Sequence, residues 1–138
     1  MNAKDFLRQA KKYDMMIKNK LIEVEQWKAI ATGTTAQMGG ERVQSSGNQQ
    51  KMADAVAKYV DIEADRKKCI DGLMKAKNEI IEVIEQLNAT EYDVLHKIYI
   101  QYMTLEDAAS MYDKTYSWIT TVHGRALQHV QEILDKKE

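Results

Sequence analysis

The sequence predicts an all-α protein, and three observations support this fold class. The 138 residues include no proline and six glycines, four of which lie between residues 33 and 47. Residues of high helix propensity fill the rest of the chain almost without interruption. Apolar residues recur there at steps of three and four, the spacing that places them on one face of a helix. We therefore expect a long antiparallel helical hairpin, a coiled-coil arm, followed by a smaller helical unit.

The first helix of the hairpin is predicted from about Asp5 to Ala31. Its apolar seam has the heptad spacing of helices that pack lengthwise against one another. The members of this seam are Phe6, Ala10, Tyr13, Ile17, Val24, Trp27 and Ala31. Residues 1–30 also carry seven Lys or Arg against four acids. We interpret these cations as a solvated flank, with contact to nucleic acid as the alternative.

The connection between the two hairpin helices is predicted at about residues 32–50. Gly, Ser and Thr dominate this stretch and interrupt the helical period. It is long for a helix–helix connection, and loops of this length are often functional or disordered. Arg42–Gly47 combine a cation, hydroxyls and an amide that can contact phosphate groups. We favour a simple connector and keep phosphate contact as the alternative.

The second helix is predicted from about Gln49 to Leu87, and its seam is nearly continuous over five heptads. The seam consists of Met52, Ala55, Tyr59, Ile62, Arg66, Cys69, Leu73, Ala76, Ile80, Val83 and Leu87. The shorter first helix leaves the end of this seam uncovered, so a partner chain or the C-terminal unit must shield it. We infer a homodimer or larger homo-oligomer. The arm would occupy residues 1–86 and the C-terminal domain residues 87–138.

The C-terminal domain carries three helix start signals. Thr90 and Asp93 form a pair similar to a capping box at the start of a third helix. Thr104 and Thr115 can each cap the free N–H groups of a further helix. The resulting short helix, tight turn and longer amphipathic helix are typical of a helix-turn-helix, whose second helix enters the DNA major groove.

No catalytic or metal-binding pattern is present in the sequence. His123 and His129 lie six residues apart on one helix and do not share a face, and His96 belongs to another helix. A zinc site or a Cys–His nucleophile would need partners that are absent. We therefore expect neither an enzyme nor a metal or other cofactor. The lone Cys69 excludes an intrachain disulfide and is interpreted as a buried free thiol in a reducing compartment.

Two further absences concern the membrane. The N-terminus lacks the apolar run of a signal peptide, and no window approaches the eighteen apolar residues of a membrane span. We expect a soluble protein with no membrane partner. The net charge of −1 neither favours nor excludes nucleic acid, because local distribution matters more than the sum.

Several short stretches of the C-terminal domain follow a known pattern without any gap. They are Leu87–Leu95, Ile98-Tyr99, Thr104–Ala109, Thr115, Trp118-Ile119 and Arg125–Leu127. Together they resemble region four of bacterial RNA polymerase sigma factors over residues 87–134. This resemblance implies a three-helix unit containing the helix-turn-helix, with double-stranded DNA as a partner and RNA polymerase as a second possible one.

Other stretches extend over nearly the whole chain. Glu25 and Trp27 near the end of the first helix, the Arg42–Gly47 stretch, Trp118 and His123–Leu127 are similar to small phage-encoded proteins of the ArpU-like type. These proteins are associated with late-gene transcription in phages and prophages of Gram-positive bacteria. The resemblance implies a transcription regulator in the cytoplasm of a bacterial host cell.

The resemblance to sigma region four also implies which residues read DNA bases. The recognition helix would extend over about residues 115–134, with base-reading positions at Tyr116, Ser117 and Thr121. Hydroxyls can bond several base edges, and a Tyr ring can contact a thymine methyl. Neither gives the bidentate contact that Arg makes with guanine, so we expect modest specificity from each copy.

The same resemblance implies positions that face phosphate groups. Thr115 and Thr120 fall on such positions, and Arg125 lies one further turn along the helix. Asp113 in the turn repels phosphate, and the charge of Lys114 can at most cancel this repulsion. Because cations are few, phosphate binding should be weak without a second copy or help from the basic first helix.

Three functional hypotheses follow. The first is a sequence-specific DNA-binding regulator of phage late genes, held together by the coiled-coil arm. The second is a small terminase-like DNA-packaging subunit, which would form a ring of eight to twelve copies. The third is a module that contacts a sigma factor or RNA polymerase without touching DNA, and the excess of six acids over four basic residues in residues 104–138 favours it.

Overall fold

The computed structural model describes residues 1–33 and 46–137. Helices include 88 % of these residues and no strand occurs among them, which confirms the prediction of an all-α protein. The helices are α1 (Ala3–Thr32), α2 (Ser46–Ile84), α3 (Ala89–Leu95), α4 (Leu105–Met111) and α5 (Tyr116–Lys137). A π-helical segment, His96–Ile100, continues α3 directly.

The start of α2 differs from the sequence-based prediction. Helix α2 already begins at Ser46, so the last residues of the predicted loop, 46–50, are helical. Ser, Gly and Asn are common at helix starts as well as in loops, and composition alone could not separate the two cases. Residues 34–45 of the predicted loop, including Arg42 and the alternative of a phosphate contact there, lie outside the described residues.

The chain forms two compact units. The first consists of Met1–Tyr13 and Gly72–Glu138, and the second consists of Asp14–Asp71. The sequence-based boundary between residues 86 and 87 lies inside the first unit. The reason is that the first turns of α1 belong to the same hydrophobic core as the C-terminal helices.

The core of the first unit joins the start of α1, the end of α2, α3 with its π-helical continuation, and α5. Its buried residues are Ala3, Phe6, Leu7, Ala10, Ile80, Val83, Ile84, Leu95, Tyr99, Ala126 and Val130. Leu73 and Leu87 pack against this cluster. The end of the α2 seam is therefore covered within one chain, by the C-terminal helices and the start of α1. Burying such aliphatic side chains stabilises by roughly 1.5–3 kcal/mol each, and no partner chain is needed to shield them.

A second, smaller core in the same unit holds α3, α4 and α5 together. It is formed by Val94, Ala108, Ala109, Ile119 and Val122. The two alanines are small, which lets α4 pack closely against α5. This core fixes the angle at which the short helix lies against the long one.

The second unit has a thin core and an apolar surface. Val24, Ala55, Ile62 and Cys69 are buried, so Cys69 is a buried free thiol as predicted. The guanidinium of Arg66, which the sequence places in the seam, pairs with Glu63 of the same helix at 3.4 Å. Several large apolar side chains of this unit remain exposed, namely Met15, Met16, Leu21, Ile22, Ile30, Met52, Val56 and Val60.

Candidate nucleic-acid interface

The caps predicted at Thr104 and Thr115 are both present. The backbone N–H of Asp107 donates to Thr104 Oγ at 3.0 Å, at the start of α4. The backbone N–H of Trp118 donates to Thr115 Oγ at 3.1 Å, at the start of α5. Each hydroxyl satisfies an N–H group that has no partner within its own helix. These two bonds fix where α4 and α5 begin.

The connection between α4 and α5 is a tight turn centred on Asp113. Asp113 has φ 58°, a left-handed conformation that Asp and Asn tolerate better than most residues. The backbone N–H of Asp113 donates to Ser110 O, and that of Lys114 donates to Ala109 O, both at 3.0 Å. The left-handed residue ends α4 and redirects the chain into α5 within four residues.

Three side chains tie this turn to α3. The Tyr112 hydroxyl donates to Asp93 Oδ2, and Lys97 Nζ lies 2.9 Å from each Asp93 carboxylate oxygen. The bond from Tyr112, followed by the bond from Lys97, lowers the pKa of Asp93. Burial and the same bond to Asp93 raise the pKa of Tyr112 above its ordinary value. The turn therefore has a fixed position relative to α3.

Asp93 was predicted to cap the start of α3 together with Thr90, but its carboxylate accepts a hydrogen bond from Tyr112. The sequence-based capping box of Thr90 and Asp93 is wrong, because α3 begins two residues earlier than that pair requires. Its cap is Asn88, whose Oδ1 accepts from the backbone N–H of Glu91 at 2.9 Å. Asn ranks above Thr as a cap and stands three residues before Glu91, so the sequence pattern itself favoured Asn88.

Helix α5 has one buried and one exposed face. Ile119, Val122, Ala126 and Val130 are buried and face the two cores. The predicted DNA-binding residues lie mostly on the other side. Lys114, Thr115, Tyr116, Ser117, Thr121 and Arg125 are exposed, and Thr120 is half-buried. The structure thus presents hydroxyl, phenol and guanidinium groups along the outer surface of α5.

Two of these hydroxyls make bonds within α5. Thr120 Oγ and Thr121 Oγ each donate to the backbone oxygen of Ser117 at 2.9 Å. Their protons are engaged in these bonds, so what they offer outward is oxygen lone pairs. Thr115 differs, because its oxygen accepts the capping bond and its proton is available to an acceptor such as a phosphate oxygen.

Gly124 forms a gap in the outer surface of α5. Apart from its chain neighbours and the backbone of its own helix, no atom lies within 4 Å of the position that a Cβ at Gly124 would occupy. It sits on the helix one turn beyond Thr120 and Thr121. The missing side chain exposes the helix backbone there and permits close approach by a partner.

Two histidines on α5 pair with buried side chains of the preceding segment. His123 Nε2 and the Tyr99 hydroxyl are 2.7 Å apart, and their rings stack at 5.8 Å. His129 Nδ1 lies 2.7 Å from the carboxylate of Glu91, which is 3 % exposed. Together with the cores, these pairs fix the rotation of α5 about its axis. The sequence analysis found neither pair, because their members are distant in sequence.

Comparison of the chain with known protein-family models, with curated proteins and with solved structures finds no match in any of the three. Residues 1–33 and 46–137 contain no group of three or more His, Cys, Asp or Glu arranged to hold a metal ion. None of the helices described is long and apolar enough to cross a membrane.

Proposed function

We propose that the chain is a sequence-specific DNA-binding regulator of transcription that acts on late genes of a phage or prophage. One observation carries the proposal: a short capped helix, α4, packs across α5, whose outer face is exposed and hydrogen-bonding. In this interpretation α4, the Asp113 turn and α5 form a helix-turn-helix. In the same interpretation, α3 with its π-helical continuation completes a three-helix unit of the kind that the resemblance to sigma region four implies.

The dimensions of α5 suit the major groove. Its 22 residues span about 33 Å, and a helix with side chains is roughly 10–12 Å wide. The major groove of B-DNA is about 12 Å wide and admits one helix. Gly124 lies within the outer face, so the backbone there can approach base edges or the sugar–phosphate chain.

The bonding state of the hydroxyls refines the expected base contacts. Thr121 offers lone pairs and can accept from the amino groups of adenine or cytosine. Tyr116 is 54 % exposed and can contact a thymine methyl with its ring. Arg125 is the residue of the outer face able to make a bidentate contact to guanine. One copy therefore reads few bases, and a second copy would double the number of base contacts.

The second unit supports such a two-copy assembly. Within it, Lys28 Nζ lies 5.7 Å from the Tyr59 ring, and Met52 Cε lies next to Gly33. Gly33, which follows α1 directly, lies beside the earlier residue of α2, Met52, as expected if the two helices are antiparallel. These contacts support the antiparallel hairpin. Exposed apolar side chains such as Ile22, at 56 %, give this hairpin a surface that a second copy can bury. A dimer in sedimentation experiments fits the regulator, whereas a large ring indicates the packaging subunit.

An alternative function is contact with RNA polymerase or a sigma factor without DNA. The observation that favours it is the acidic character of the α4–α5 surface, where Glu106, Asp107 and Asp113 are all exposed. Carboxylates there repel DNA phosphates and suit a basic protein surface. Lys114 offers little compensation, because it is one cation beside three carboxylates.

Selection of preferred sequences from a random DNA pool, followed by gel shifts at several salt concentrations, tests the proposal. We expect an enriched sequence and an affinity that falls with salt. Replacing both Tyr116 and Thr121 by Ala should remove the preference for that sequence and leave weak general binding. Thr90→Ala, an exposed hydroxyl on α3, is the matched control and should bind like the original protein. Absence of any shift at low salt, with co-purification of polymerase, contradicts the proposal and favours the alternative.

A further inference from the structure

A cavity of about 300 Å³ in the first unit has a positively charged lining. Lys4, Arg8 and Lys11 of α1 form part of its wall. The other walls come from the π-helical segment, the connection to α4, and His123 of α5. No lining residue is acidic. A cavity of this volume is in the size range of sites for small molecules.

The three cations form one stripe along α1. Their spacing of four and three residues places them on the same face of the helix, pointing toward the cavity. Within the part of the chain that the structure describes, none of the three is in an ion pair. Three unpaired like charges next to one another repel, so an anion bound between them would relieve that repulsion.

The positive potential reaches the cavity wall opposite α1. Burial lowers the pKa of His123, and the charges of Lys4 and Arg8 lower it further. Burial raises the pKa of Tyr99, and the charge of Arg8 opposes that increase. The two cations therefore act electrostatically on the groups that form the opposite wall, as they would on an anion in the cavity.

Polar and apolar groups divide the remaining lining. The Thr104 hydroxyl accepts the α4 capping bond and keeps its proton for an outside acceptor. The Tyr99–His123 pair supplies further hydrogen-bonding atoms. Ile98, Met103 and Leu105 provide an apolar surface. Cations and O–H groups suit phosphate oxygens, and apolar side chains suit the ring or sugar attached to the phosphate.

We propose that this cavity binds a phosphate ester, with the phosphate between Lys4, Arg8 and Lys11 and its organic part against the apolar wall. The phosphate has two possible sources. One is a free nucleotide-sized molecule. The other is the backbone of bound DNA, because His123 lies one helical turn beyond Thr120 on α5 and so borders the proposed reading face. The DNA source rests on the proposed function, whereas the free-ligand source does not.

Nuclear magnetic resonance of the full chain provides the test, with the ring protons of His123 as the reporter. Inorganic phosphate and AMP are titrated first, in the absence of DNA, and double-stranded DNA is titrated separately. Arg8→Gln is the test variant and Lys12→Gln the matched control, since both remove one exposed cation from α1 and only Arg8 lines the cavity. Circular dichroism verifies that both variants keep their helix content.

We expect saturable shifts of the His123 signals and a loss of affinity of roughly tenfold in Arg8→Gln, against little change in Lys12→Gln. Shifts with phosphate or AMP assign a free ligand, and shifts with DNA alone assign the DNA backbone. If neither phosphate, AMP nor DNA shifts His123, or if both variants weaken binding equally, the cavity is not a phosphate site. DNA binding that leaves His123 unshifted excludes the DNA backbone as the source of the phosphate and leaves the proposed function intact. Phosphate binding without DNA binding overturns only the proposed function.

Discussion

The carboxylate of Glu91 on α3 and the imidazole of His129 on α5 meet 2.7 Å apart. Glu91 is 3 % exposed, whereas the His129 side chain is 42 % exposed. A buried carboxylate needs a hydrogen-bonding partner, and His129 provides one while remaining in contact with water. The pair therefore connects α5 to α3 at the inner face of the α5 helix, opposite the proposed reading surface.

Replacing Glu91 by Ala should destabilise the first unit. The change removes the bond to His129 and leaves a gap at a buried position, with an expected loss of about 1–3 kcal/mol in the free energy of unfolding. Urea denaturation followed by circular dichroism measures this loss. Glu82→Ala, which removes an exposed carboxylate from α2, should change stability by no more than about 0.5 kcal/mol. Equal effects of the two substitutions would show that the pair with His129 is not stabilising.

Two glycines inside helices, Gly72 of α2 and Gly124 of α5, should respond in opposite ways to replacement by Ala. A Cβ at Gly72 would lie 2.6 Å from Tyr13 Cε1, so the half-buried Tyr13 ring would have to move. A Cβ at Gly124 would meet no atom within 4 Å beyond its chain neighbours and the backbone of its own helix. Ala is favoured over Gly inside a helix by roughly 0.8–1 kcal/mol.

We therefore expect Gly124→Ala to raise the thermal midpoint by a few degrees. Gly72→Ala should lower it, because the steric cost of about 1–3 kcal/mol exceeds the gain in helix propensity. Differential scanning calorimetry of both variants measures the contrast. If Gly72→Ala stabilises as much as Gly124→Ala, then α1 and α2 adjust there without cost, and close packing at Tyr13 does not matter.

Features that depend on neighbouring residues were predictable from the sequence. The caps at Thr104 and Thr115 were predicted because a cap and the N–H it accepts lie three residues apart, within one visible pattern. The apolar face of α5 was predictable for the same reason, since helical periodicity is local. The start of α3 was misplaced because Thr90 is also an acceptable cap within the same short stretch, although Asn88 ranks above it.

Features that depend on packing between distant segments were not predictable. Asp93 and Tyr112 are 19 residues apart, and Glu91 and His129 are 38 apart. The sequence gives no sign that these side chains meet, because their partners are decided by how α3, α4 and α5 pack. The same limit applied to the α1 cations. Their position at the His123 cavity follows from the shared core of the first unit, which the predicted boundary at residue 86 would have separated.

The stability of the first unit should fall in mild acid because of His123. Burial and the nearby charges of Lys4 and Arg8 lower the pKa of His123 in the folded state, so the unfolded chain takes up its proton first. The contribution of His123 to stability is therefore fully present above about pH 6.5, the ordinary histidine value, and is lost as pH falls through the lower folded-state pKa.

Urea denaturation at a series of pH values between 7.5 and 4.5 measures this dependence. His123→Gln keeps a hydrogen-bonding group opposite Tyr99 and does not titrate, so the variant should lose less stability than the original protein over this range. The free energy of unfolding is plotted against pH for both proteins. The difference between the two slopes removes the contribution of all other titrating groups. Parallel slopes would show that His123 takes up its proton equally well in the folded and unfolded states.

Asp113 should limit the affinity for DNA, and this prediction rests on the proposed function. Its carboxylate is exposed in the turn between α4 and α5, where phosphate groups would approach. Asn tolerates the φ of 58° at this position as well as Asp does, so Asp113→Asn removes charge without new backbone strain. We expect gel shifts at low salt to show an affinity roughly two- to tenfold higher. Asp135→Asn is the control, because 19 residues of helical rise, about 29 Å, separate it from Tyr116 at the start of α5, beyond the screening length of about 10 Å. Equal gains from both substitutions would mean that DNA responds to net charge alone and does not approach the turn at Asp113.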